Sequence, residues 1–166
     1  MSDKSLEWYF AYGSNLDRGT FCGRRRIQPS DSKVGCLMHH VLRFDLAVGP
    51  GNRGVANLAP ESDKHTWGVA YQITHTEGRR LDRSEGVQRD FYRRIPVTIE
   101  LQDDHTLEAF TYASSRGRPG RLPSPRYLGL IVNGARYHGL PDEWVDRLQS
   151  WPLAIDERVA KQGTLF

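Results

Sequence analysis

Along most of the chain before Ser124 the apolar residues fall in short runs of period two, and afterwards they adopt helical spacing. The aromatic run Trp8-Tyr9-Phe10-Ala11-Tyr12 reads as a strand that ends at Gly13 and delivers the loop Gly13-Ser14-Asn15-Leu16. Aromatic side chains suit a pleated, half-buried surface, whereas Gly13 and Asn15 tolerate the positive φ angles of a sharp turn. Asp17 to Arg26 is polar and glycine-punctuated, enough for a short helical turn, and Pro29 to Lys33 reads as a linker. Val34 to Val48 alternates like a strand with one wet face and ends in a turn rich in glycine, Gly49 to Gly54. Two separate short strands follow, Val55 to Leu58 and Thr66 to Ile73, so the first half of the chain reads as a meander.

Thr74 or Thr76 can cap a short helix from Glu77 to Glu85, with Gly86 where a chain leaves a helix through a left-handed residue. Phe91 to Leu101 and Leu107 to Ala113, joined by the polar turn Gln102-Asp103-Asp104-His105, predict an antiparallel hairpin. Ser114 to Pro123 is a long basic loop. Ser124-Pro125 opens a helix that ends near Gly139, and Pro141-Asp142-Glu143-Trp144 starts another that runs to Ser150. The tail from Asp156 to Gln162 can hold a further turn or two, with Gly163 to Phe166 either frayed or docked. Strands first and helices last predict an α+β domain whose antiparallel or mixed sheet curls towards a barrel.

The 166 residues fit one domain with a substantial core. Cys22 and Cys36 form no CxxC pair and the polar start has no signal-like segment, which favours a reducing, cytoplasmic setting. No apolar run approaches the roughly 20 residues that cross a bilayer, so no membrane partner is expected. The net charge of +3, from 23 basic and 20 acidic residues, is mild. The clusters Arg24-Arg25-Arg26 and Arg116, Arg118, Arg121, Arg126 lack the interleaved aromatics of a single-strand platform, and solvated loops explain them without nucleic acid.

Gly49, Gly51 and Gly54 spell GxGxxG, but a strand follows where a dinucleotide site needs a helix, so the segment reads as a hairpin turn. Ser14 follows Gly13, but Asn15-Leu16 lacks the second glycine of a nucleophile elbow, which makes Ser14 a binding residue. None of the six histidines has a recognisable ligand spacing, and no metal or other cofactor is expected.

The segment Phe10-Ala11-Tyr12-Gly13-Ser14-Asn15-Leu16 resembles the substrate loop of the gamma-glutamylcyclotransferase family, and Leu81-Asp82-Arg83-Ser84-Glu85-Gly86-Val87 is similar to its catalytic-glutamate segment. Arg53 to Leu58, Trp67 to Tyr71, Phe91-Tyr92, Ser124 to Tyr127, Asn133 to Ala135 and Gly139 to Pro141 extend the likeness over nearly the whole chain. The resemblance implies a small barrel-like sheet flanked by helices and a metal-free cleavage of a gamma-glutamyl amino acid or amine that releases 5-oxoproline and a free amine. Carried over by position, Glu85 is the acid/base, Tyr12, Gly13, Ser14, Asn15 and Leu16 form the substrate loop, and Tyr92 and Tyr127 are pocket walls. Arg83 and Arg89 must then point away from Glu85, because a cationic partner lowers a carboxyl pKa that the chemistry needs raised.

The expected partner is a small-molecule gamma-glutamyl substrate, with a homodimer left open. The arginines between Ser114 and Arg126 could reach an acidic leaving group or cover the site, although a solvated, mobile loop is the simpler expectation. Two other functions stay open at this point: a non-catalytic ligand- or partner-binding module on the same fold, and nucleic-acid binding through the arginines, which would show a steep salt dependence.

Overall fold

The computed structural model describes residues 4–155. Five strands form a closed barrel in the order β1-β3-β2-β4-β5: β1 Leu6–Ala11, β2 Asp31–Ala47, β3 Gly54–Thr74, β4 Arg93–Leu101 and β5 Thr106–Ala113. The paired strands run antiparallel except at the closure, where β1 meets β5 in parallel at Tyr9 and Phe110. Helices α1 His75–Ser84, α2 Pro125–His138 and α3 Asp142–Gln149 complete the expected α+β class of a barrel flanked by helices.

Several boundaries differ from those read in the sequence. The first three strands are not a meander, because β3 lies between β1 and β2. The presumed linker at Lys33 is already strand: Asp31, Ser32 and Lys33 pair with Gln72, Tyr71 and Ala70, and their exposed side chains disguise a well-paired backbone. The two short strands of the sequence reading are one 21-residue element, β3. Its polar middle, which reads as a break, is an exposed excursion in which the segment between Pro60 and His65 faces a single residue, His39, with His39 and Asp63 both at positive φ. The glycine-rich turn after β2 simply connects it to β3, with Gly49 and Gly51 at positive φ.

Inside the barrel the aromatics of the period-two runs meet. Tyr9 lies 5.4 Å from Phe110 across the closure and 6.5 Å from Tyr71, and Phe21, from the helical turn Gly19–Arg24 between β1 and β2, stacks on Tyr71 at 4.3 Å between ring centroids. Aromatic pairs at such separations add to the area they bury. The α1 helix starts with a reciprocal cap, Glu77 N donating to Thr74 Oγ1 (3.1 Å) and Thr74 N to Glu77 Oε1 (3.0 Å). It ends at Glu85 and leaves through Gly86 at φ 70°. At α2, Ser124 Oγ accepts from Tyr127 N at 3.1 Å, and the helix exits through Gly139 at φ 76°. Among the described residues no helix is long and apolar enough to cross a membrane. The tail from Asp156 onward, read above as a further turn with a frayed or docked end, lies outside the described residues.

The loop after β1 forms one short 3-10 turn, Ser14–Leu16, and packs beneath α2. Contrary to expectation, its turn is not made by left-handed residues: Gly13 has φ −117°, and Asn15 is not at positive φ. Leu16 is fully buried, and a Cβ on Gly134 would lie 2.4 Å from its carbonyl carbon and oxygen. Close approach, rather than conformational freedom, therefore demands glycine at 134. Replacing Gly134 with Ala must push α2 off the loop, and we expect urea denaturation to register a loss of about 1–3 kcal/mol, the usual cost of overpacking.

Candidate active site

At one mouth of the barrel the end of β1, the end of α1 and the first turn of α2 converge on a small pocket open to solvent. The loop residues Tyr12, Gly13, Ser14 and Asn15 line it, together with Glu85, Tyr92 and Tyr127. Seven of the residues singled out in the sequence are thus brought together although they are far apart along the chain. Leu16 is the exception: its side chain belongs to the core, its amide donates to Gly13 O (3.0 Å), and it does not line the pocket.

Tyr9, Ala56 and Tyr112 also line the pocket, and all three were missed in the sequence. Tyr9 and Tyr112 sit in strand patterns where a side chain facing the mouth looks the same as one facing the core. Ala56 carries no chemical signal at all, but its peptide group is gripped at both ends. Its N–H donates to Tyr127 Oη at 3.0 Å, and its carbonyl accepts from Tyr92 Oη. Tyr12 Oη donates to the Tyr112 carbonyl (2.5 Å), and Tyr112 Oη donates to Asp82 Oδ1 (2.5 Å). Burial raises the hydroxyl pKa of all five tyrosines, Tyr127 to about 12, so the wall is neutral.

Glu85 is the one ionisable carboxyl group lining this pocket, and its side chain is 13% exposed. Asn15 Nδ2 donates to Glu85 Oε1 (3.1 Å) and to Tyr9 Oη (2.9 Å), while Asn15 Oδ1 accepts from Arg25 Nε at 2.7 Å. Arg25 thereby fixes which end of the Asn15 amide faces the carboxylate. Arg25 Nη2 itself lies 3.6 Å from Oε1. Both contacts fall on the same oxygen, and among the described residues none donates to Oε2. Burial pushes the Glu85 pKa above the ordinary carboxyl value, with Arg25 and Asn15 pulling the other way.

Arg83 and Arg89 do not pair with Glu85, in keeping with the sequence requirement. The cation that does is Arg25, from a cluster expected to be solvated. Its contact with Asn15 bridges ten residues through the short π-helical turn Gly19–Arg24, and nothing in the run Arg24-Arg25-Arg26 distinguishes the middle member. The long basic loop is likewise not loose: Arg118 N donates to Asp45 O (2.8 Å), Leu122 N to Asn52 O (2.9 Å) and Asn57 Nδ2 to Ser114 O (3.0 Å). Of the loop amides, Leu16 and Asp17 donate within the turn, whereas among the described residues those of Gly13 and Ser14 have no acceptor. Gly13 sits close to its neighbours: a Cβ there would lie 3.1 Å from Ala56 Cβ and 3.4 Å from Tyr127 Oη.

A closed barrel thus holds a largely buried carboxyl group against a neutral tyrosine wall, beside a loop whose Gly13 and Ser14 amides have no acceptor among the described residues, a setting suited to a small molecule. The chain belongs to the AIG2-like family, whose model matches residues 65–148. That segment holds Glu85, Tyr92, Tyr112 and Tyr127, while the loop from Tyr12 lies outside it. The chain is 28% identical over 155 residues to human "Gamma-glutamylcyclotransferase", a match that covers 89% of this chain and 80% of that one. It is 32% identical over 171 residues to an Aspergillus fumigatus "Gamma-glutamyl cyclotransferase", covering 87% of this chain and 62% of the relative. A solved structure described as "Gamma-glutamyl cyclotransferase" superposes with a TM-score of 0.81 at 25% identity, covering 90% of this chain and 89% of its own. The resemblance drawn from the motifs therefore holds at the level of family and fold.

The network around Glu85 can be tested without any substrate. In a carbon-detected NMR titration of the labelled carboxyl groups, Glu85 is expected to titrate above the ordinary Glu range. Removing the positive charge in Arg25→Met removes a stabiliser of the carboxylate, so the Glu85 midpoint should move further up. A midpoint that stays put or falls would show that Arg25 does not act on this carboxyl.

Proposed function

We propose that this chain is a gamma-glutamylcyclotransferase, which converts the gamma-glutamyl group of an amide to 5-oxoproline and releases the amine. The observation that carries the reading is the free Oε2 of a carboxyl with a raised pKa, facing a pocket whose other side is a loop with unspent amides. The names of the relatives support the same reaction.

The substrate supplies its own nucleophile, so the protein has to position, move one proton and stabilise charge. Glu85 takes a proton from the substrate's α-ammonium. The freed amine attacks the γ-carbonyl carbon, forming the ring C–N bond and an oxyanion. On collapse the bond to the leaving nitrogen breaks, that nitrogen receives the proton back from Glu85, and the ring nitrogen, which still carries two hydrogens after the attack, gives up its second proton to solvent or to the released amine. Oε2 is the oxygen that carries the proton in this scheme, because Oε1 is held by Asn15. Asn15, which lines the pocket, therefore also acts as a positioning residue for Glu85. The amides of Gly13 and Ser14 hold the oxyanion or the substrate carboxylate, as donors fixed beforehand. Tyr9 and Tyr127, whose hydroxyls accept bonds from Asn15 and Ala56, keep a proton to offer the substrate. The remaining wall, Tyr12 and Tyr92, shapes the pocket.

Glu85→Gln should keep the fold, judged by circular dichroism and melting temperature, and lower 5-oxoproline release about 10²- to 10⁴-fold. In the parent enzyme kcat/KM should rise with pH as Glu85 becomes the carboxylate base. Because its pKa is raised, this acid limb should lie above the range of an ordinary carboxyl and coincide with the Glu85 midpoint seen by NMR. Turnover by the Gln variant at the parent rate would remove Glu85 from the mechanism.

A further inference from the structure

Glu85 lines a second cavity besides the tyrosine pocket. This open groove is bounded by Ser84, Gly86, Arg89, Phe91 and Arg116, with Glu85 at its edge. The two cavities thus meet at one carboxyl group, and among the described residues Glu85 is the one acidic residue lining either of them.

The groove differs chemically from the pocket. Its polar groups are chiefly two guanidiniums, and its apolar wall is Phe91, set edge-on to Tyr92 with 5.2 Å between ring centroids. Arg89 ends the 3-10 turn Val87–Arg89 launched by left-handed Gly86, and among the described residues it forms no ion pair. Arg116 stands on the loop clamped through Ser114 and Arg118, and its own amide donates to Ser114 Oγ at 3.1 Å. Among the described residues its one counter-charge is Asp90, 3.7 Å away, in a pair whose side chains are 56% and 82% exposed. An ion pair that open to water contributes little and yields readily to a better-placed anion. Guanidinium groups recognise carboxylates through paired donors, which an ammonium cannot reproduce.

We infer that this groove is the leaving-amine subsite and that Arg89 and Arg116 bind a carboxylate carried by the leaving amine. The inference rests on the cyclotransferase reading, which puts the scissile amide at Glu85, where the two cavities join. The protein then selects gamma-glutamyl amino acids or peptides over gamma-glutamyl derivatives of neutral or cationic amines, and the two arginines set that choice.

The test compares gamma-glutamyl-alanine with gamma-glutamyl-alaninamide, a pair that differs in the leaving group's carboxylate alone, by 5-oxoproline release. Binding of both compounds to the Glu85→Gln protein is measured in parallel by calorimetry. We expect the parent to favour the carboxylate about tenfold or more in kcat/KM, and an Arg89→Gln/Arg116→Gln double variant with the parent's melting temperature to lose most of that ratio. A single Arg116→Lys variant, which keeps charge but not the paired donors, should fall between them. Equal rates for the two compounds on the parent, or an undiminished ratio in the double variant, would overturn the subsite. Absence of turnover with a preserved binding preference for the carboxylate would sink the reaction and leave the subsite standing. Absence of both turnover and preference would sink both.

Discussion

The constraint on which the site depends is the cost of keeping a carboxylate half out of water at the mouth of an apolar barrel. Desolvation drives Glu85 towards its protonated form, and a carboxyl that stayed protonated at neutral pH could not act as a base. One guanidinium and one amide offset this. Asn15 takes its orientation from Arg25 and passes a donor to Glu85, so the charge of Arg25 acts both directly and through a neutral intermediary. Because both groups hold the same oxygen, the other is left unsolvated by protein and turned to chemistry. Pulling the pKa part of the way back, without forming a tight ion pair, leaves the group able to gain and lose a proton.

The rest of the fold can be read as support for that arrangement. The reciprocal cap of Thr74 and Glu77 fixes where α1 begins, and Gly86 fixes where it ends, so Glu85 has little freedom along the helix axis. On the opposite side α2 presses on Leu16 through Gly134, which holds the loop that carries Asn15. Barrel closure between Tyr9 and Phe110 brings the Asn15 acceptor on Tyr9 to the same mouth.

Local signals in the sequence were sufficient for what is local in the structure. The exit at Gly86, the hairpin turn between β4 and β5 and the Ser124-Pro125 helix start stand where propensity puts them, and of the two candidate caps Thr74 is the one used, which starts α1 at His75, two residues before the Glu77 read from the sequence. Glu85 was legible because its segment resembles a known motif and because a helix end marks it. Arg25 was not, since its role is defined by Asn15 and Glu85, ten and sixty residues away, and an arginine among arginines carries no mark of burial. Tyr9, Ala56 and Tyr112 escaped for a different reason: in a small barrel, the alternation that predicts the inward face cannot tell the packed middle from the open end. The long β2–β3 pairing was hidden because its outer residues, Asp31 to Lys33 and Glu61 to Lys64, are polar where strand and loop look alike.

The hydroxyls of the tyrosine wall are mostly occupied. Tyr12, Tyr92 and Tyr112 give their protons to the Tyr112 carbonyl, the Ala56 carbonyl and Asp82, and Ala56 has neither its donor nor its acceptor left over. The polar groups left to a visiting molecule are then the hydroxyls of Tyr9 and Tyr127, the amides of Gly13 and Ser14 and the unengaged oxygen of Glu85. Any extra hydroxyl, amide or charge on the buried half of a ligand would surrender its hydration and find no replacement, a penalty that a merely snug apolar fit does not impose. Discrimination at this wall thus has a component of refusal: beside the few groups the barrel offers its guest stand the bonds it has already spent on itself.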